Sequence, residues 1–60
     1  MDVELLTIKE AAHILRISVP SLRRLQSDRH IPFIKIGGCV RFDKKDIIDY
    51  LNKRRYPAMH

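Results

Sequence analysis

Two adjacent arginines, Arg23 and Arg24, and two hydroxyls just before them, Ser18 and Ser21, carry the most distinctive chemistry of this 60-residue chain. A guanidinium presents a planar fork of donors that matches phosphate oxygens or the O6 and N7 edge of guanine. A serine hydroxyl bonds either target. Lys35 and Arg41 form a second basic pair, on either side of Gly37-Gly38. What these six residues share is the ability to grip a polyanion. Each also has an ordinary structural reading: Ser18 as a helix cap, the two arginines as surface ion pairs with Asp28 or Glu10, and Lys35 and Arg41 as a solvated face.

Other chemistries lack their residues. Cys39 is the sole cysteine, which excludes an internal disulfide, and His13, His30 and His60 show no metal-site spacing with it. His13 has no serine, cysteine or paired acid at a spacing that suggests catalysis, and neither a phosphate loop nor a dinucleotide fingerprint is present. A chain this short buries only about 60% of its unfolded surface, which leaves no room for a substrate cleft. The expectation is a non-enzymatic protein with no cofactor, no metal and no small-molecule ligand. No apolar run approaches the roughly 20 residues of a membrane span. The start, Met1-Asp2-Val3-Glu4, is acidic where a secretion signal is basic. A cytoplasmic protein with no membrane partner is expected.

The formal net charge of +5 is unevenly distributed. Residues 1–10 carry one basic and three acidic groups, whereas residues 11–42 carry six basic groups against Asp28 alone. Residues 43–60 add five basic and three acidic groups, with the cluster Lys53-Arg54-Arg55 near the end. Clustered positive charge attracts polyanions through steering and counterion release.

The elements that position these residues follow from local signals. Thr7 followed by Glu10 is a capping box, and Ile8, Ala11, Ala12 and Leu15 fall on one face of a helix over about 8–15. The two alanines on that face allow close approach of another helix. Leu6, before the cap, is placed to pack back as a hydrophobic staple. After an Arg16-Ile17 turn, Ser18 caps a second helix with Pro20 in its first turn, Val19, Leu22 and Leu25 facing inward, and an end near Asp28. Ile31-Pro32 then forces an extended chain.

Next comes a glycine-tipped β-ribbon. A three-residue loop, Gly37-Gly38-Cys39, pairs Ile36 with Val40 and Ile34 with Phe42, and so puts the whole apolar set on one face. It also sets Lys35 opposite Arg41, a like-charge pair that an anion would relieve. A two-residue Gly37-Gly38 loop splits the apolar set, so the three-residue loop is expected. Asp43 caps a last helix over about 44–55, with Ile47, Ile48, Tyr50 and Leu51 as its apolar side. Tyr56-Pro57 stops it, and residues 58–60 form a frayed tail. Lys53-Arg54-Arg55 is open to three readings: helix C-capping, a phosphate contact or a partner surface that includes Tyr56.

The predicted fold is therefore a small α+β domain, a winged helix-turn-helix of three helices and a two-stranded β-hairpin wing. Its order is helix-helix-strand-strand-helix, in a single domain over 1–60 with its core at about 5–55. A common use of that shape is to read duplex DNA.

The run Leu6-Thr7-Ile8-Lys9-Glu10-Ala11-Ala12, then Ile17-Ser18, Leu22-Arg23-Arg24-Leu25, Ile31-Pro32, Lys35-Ile36-Gly37 and Val40-Arg41-Phe42, resembles the excisionase family of small helix-turn-helix proteins. That family is related in fold to the DNA-binding domain of MerR regulators. The resemblance implies that the second helix enters the major groove, with Ser21, Arg23 and Arg24 on it, and that the wing meets the adjacent minor groove through Lys35 and Arg41. It further implies a recombination directionality factor of a mobile element, which binds repeated sites on double-stranded DNA and bends them for an integrase. Self-association on DNA would be cooperative. The tip Gly38-Cys39 departs from the family, many of whose members have a polar residue there, and the long dimerisation helix of MerR regulators is missing. Two other roles stay open: a small phage or plasmid transcriptional regulator, and a protein-interaction adaptor for a recombinase or packaging protein.

Overall fold

In the computed structural model, which describes residues 3–58, three short side chains start three helices. Thr7 accepts from the Glu10 amide at 3.1 Å while its own amide donates to Glu10 Oε1 at 2.8 Å, the reciprocal capping box, and α1 follows over Ile8–Leu15. Ser18 Oγ accepts from the Ser21 amide at 3.2 Å and opens α2, Val19–Ser27, with Pro20 in the first turn where its missing amide costs nothing. Asp43 accepts from the Lys45 amide at 3.0 Å and opens α3, Lys44–Lys53. The first two helices keep the expected bounds, and the third ends at Lys53 with Arg54 as its C-cap, two residues short of the expected 55.

The helix ends hold a less expected feature. α1 and α2 both close with the paired bonds of a Schellman motif: Ile17 N to Ala12 O at 3.1 Å with Arg16 N to His13 O at 3.2 Å, and His30 N to Leu25 O at 2.9 Å with Arg29 N to Gln26 O at 3.2 Å. The position that glycine usually fills is arginine in each. Arg16 sits at φ 57° and Arg29 at φ 60°, left-handed backbone where a Cβ costs about 1–2 kcal/mol.

The sheet has three antiparallel strands in the order β1-β3-β2, where β1 is Leu5–Leu6, β2 is Ile34–Ile36 and β3 is Cys39–Asp43. The two-stranded wing expected from the sequence is thus extended by β1. Leu5 pairs with Asp43 and Leu6 with Phe42, and the Lys44 amide donates to Glu4 O at 2.9 Å. This pairing fastens the start of the chain to the last strand. Leu6, expected as a staple, is buried in one core with Ala11, Ala12, Leu22, Ile31, Phe42 and Ile47. α1 packs on α2, α3 and β3, and Ala11 and Ala12 give it the slim face this central place requires.

The ribbon register corrects the expected one. Ile36 pairs with Cys39, Lys35 with Val40 and Ile34 with Arg41, so the loop is the two residues Gly37-Gly38. Gly37 alone has positive φ, 59°, the pattern of a type II′ turn, whose twist suits a hairpin. Ile34 and Ile36 therefore lie on the opposite face from Val40 and Phe42, and all of β2 is exposed. The reason is that β2 packs substantially on β3 alone. No helix layer covers it, so a register that gathered its isoleucines with Phe42 would bury little more. Ile48 and Leu51, expected on the apolar side of α3, are likewise exposed, while Ile47 is fully buried and Tyr50 half-buried. Of the expected frayed tail, Met59 and His60 lie outside the described residues.

Candidate nucleic-acid interface

α2 and its N-cap carry four of the six sequence-derived site residues, and the helix geometry sorts them. At about 100° per residue, Leu22 points to the core, Arg24 points about 160° away from it, and Arg23 sits a quarter turn round from Leu22. Leu22 is fully buried, whereas Ser21, Arg23 and Arg24 are exposed. The ion pairs with Asp28 or Glu10 that could have explained the arginines structurally do not form. Among the described residues the ion pairs are Lys44–Glu4 at 3.6 Å and Lys53–Asp49 at 3.1 Å. Both guanidiniums on α2 thus project into solvent with their donors uncommitted.

The two serines divide their work. Ser18 Oγ accepts from the Ser21 amide and donates to Ser21 Oγ at 2.8 Å. Its hydroxyl hydrogen is spent inside the cap. Ser21 accepts that bond and keeps its own hydrogen for an outside acceptor.

On the wing, Lys35 and Arg41 stand on opposite faces of the ribbon because their cross-strand partners are Val40 and Ile34. The expected like-charge pair is therefore absent, and with it the argument that an anion relieves it. Lys35 is exposed. Arg41 is partly buried and turns one nitrogen, Nη1, onto the Val40 carbonyl at 2.8 Å. Cys39 is exposed as a free thiol at the turn.

Two further cations escaped the sequence reading. Arg16 lies in the turn two residues before Ser18, and Arg29 lies just past the end of α2; both are exposed. The available signal was negative: no glycine or asparagine follows either apolar run, so some other residue must take the left-handed position. Lys53-Arg54-Arg55 shows none of the side-chain capping expected there. Lys53 pairs with Asp49, and Arg54 lies over the Tyr50 ring at 4.1 Å.

Two capped helices joined by a short turn, then a β-ribbon and a third helix, define a winged helix-turn-helix. The chain belongs to the helix-turn-helix domain family, whose model matches residues 5–55. That membership supports DNA binding. No curated protein and no solved structure matches the chain. Among the described residues no helix is long and apolar enough to cross a membrane, and no three His, Cys, Asp or Glu side chains gather as a metal site.

Proposed function

We propose that this protein is a sequence-specific, non-enzymatic binder of double-stranded DNA from a mobile element, acting as an excisionase. The observation that carries the DNA reading is Arg24 projecting from the outer face of a capped helix, with no ion pair among the described residues to occupy it. In this reading α2 enters the major groove, Arg24 grips a guanine edge, and Arg23 and Ser21 flank it on phosphate or neighbouring bases. Lys35 meets phosphate from the wing. Arg41 contributes through donors not committed to Val40, and Ser18 holds the head of the helix in place.

One copy of so small a domain spans only a few base pairs, too few for useful discrimination in a genome. Several copies bound cooperatively to adjacent repeats, with an integrase as protein partner, supply what one copy lacks. The excisionase role rests on the resemblance of residues 5–55, not on a geometric feature.

Selection from a randomised duplex library tests the reading. A shared motif repeated at regular spacing, found beside an integrase gene, supports it. A motif found only in promoters replaces excision with transcriptional regulation. Failure to enrich any sequence removes the claim of specificity.

A further inference from the structure

Past the end of α2 the chain forms an open groove of about 500 Å³, lined by Arg29, His30, Ile31, Pro32, Phe33 and, from the end of α3, Lys53. Exposed Pro32 and half-buried Phe33 supply its apolar surface, Arg29, His30 and Lys53 its polar and basic surface, and no acidic side chain lines it. Asp49 pairs with Lys53 at 3.1 Å from outside the lining, which leaves the ammonium further donors for a ligand.

Arg29 gives the second observation. It occupies left-handed backbone at φ 60°, where glycine sits without strain, and its guanidinium lies over the Phe33 ring at 5.5 Å. A cation is thus kept at a position where stability alone favours glycine, and it is stacked on the aromatic wall of the groove. Arg16 shares this backbone strain, so what sets Arg29 apart is its stacking on Phe33 within the groove.

We propose that this groove docks an acidic segment of a partner protein, anchored by an aromatic or large aliphatic side chain. Arg29, Lys53 and His30 would meet the carboxylates, and Pro32 and Phe33 the anchor. A phosphodiester backbone would satisfy the basic groups but leave Pro32 and Phe33 uncovered, so the mixed lining favours a peptide over DNA. The groove follows the C-terminal end of α2, whereas Ser21, Arg23 and Arg24 lie in its first two turns. Peptide and duplex could therefore be held together, and the docking does not depend on the DNA reading.

The test is a nitrogen-15 chemical-shift titration of the full chain with a synthetic dodecapeptide of glutamate and aspartate around a central leucine–phenylalanine pair. A control peptide replaces that pair with serines, and a random-sequence duplex is titrated in parallel. The first peptide is expected to shift the amides of Arg29, His30, Ile31, Phe33 and Lys53, and to bind at least tenfold more tightly than the serine control. Arg29→Gly should raise the midpoint of thermal unfolding yet weaken the peptide at least fivefold, a combination no purely structural role produces. Lys53→Glu should weaken the peptide to a similar degree with the fold unchanged. Equal binding of the two peptides, shifts elsewhere, or unaltered affinity in both variants overturns the proposal. A loss of duplex binding in Lys53→Glu as large as the loss of peptide binding also overturns it, and makes the groove a phosphate site.

Discussion

Ser18 Oγ donates to Ser21 Oγ at 2.8 Å while accepting from the Ser21 amide, so one hydroxyl closes the head of α2 and the other faces outward from it. The two serines should separate on mutation. Ser18→Ala removes the cap and should cost about 1 kcal/mol of stability. Ser21→Ala leaves the cap in place and should change stability by less than about 0.5 kcal/mol, while weakening DNA binding by about 1 kcal/mol. Urea unfolding and duplex titration of the two variants measure both effects; a larger stability loss in Ser21→Ala would contradict this division.

Arg16 repeats at the end of α1 the left-handed geometry of Arg29. Arg16→Gly should therefore stabilise the fold by about 0.5–1 kcal/mol, the strain relieved less the greater freedom glycine has when unfolded. Denaturant midpoints at fixed m-value measure it. A destabilised variant would mean that the Arg16 side chain contributes packing that outweighs its backbone strain.

The wing register is testable through its two glycines. Gly37 holds φ 59°, and a Cβ added at either glycine meets nothing within 4 Å, so backbone conformation alone decides the outcome. Gly37→Ala should cost about 1 kcal/mol and Gly38→Ala less than about 0.5 kcal/mol. Similar losses at both positions would contradict a turn with positive φ at Gly37 alone.

Phe42 and Ile36 mark the limits of the core. Phe42 is fully buried against Leu6 and the helices, and Phe42→Ala should cost about 3–5 kcal/mol, most of the stability of a domain this small. Ile36 is 54% exposed, and Ile36→Ala should stay within about 0.5 kcal/mol. Calorimetry of the two variants distinguishes this core from one that includes the whole ribbon.

What the sequence revealed was local in origin. The caps at Thr7, Ser18 and Asp43 are bonds across two or three residues, and the inward faces of α1 and α2 follow from helical period, so these elements and the outward Arg24 were legible. The strand Leu5–Leu6 was not, because two residues carry no period and its partners, Asp43 and Phe42, lie far along the chain. The register failed for a related reason. An apolar pattern fixes a face only where something covers that face, and nothing in the sequence revealed that β2 would lack a helix above it. The separation of Lys35 from Arg41 follows from that register alone. Arg16 and Arg29 were hidden because they take a left-handed backbone geometry that arginine does not announce as glycine does.

The central claim is that Arg24 reads a base while Lys35 only holds phosphate. Its most direct test measures the affinity of the wild type, Arg24→Ala and Lys35→Ala for the selected duplex and for bulk DNA across a salt series. Arg24→Ala should lose about 1–3 kcal/mol on the selected duplex, relax specificity at one position, and lose far less on bulk DNA. Lys35→Ala should weaken both duplexes alike and lower the salt slope by about 1. Equal losses on both duplexes for Arg24→Ala would contradict base readout from α2.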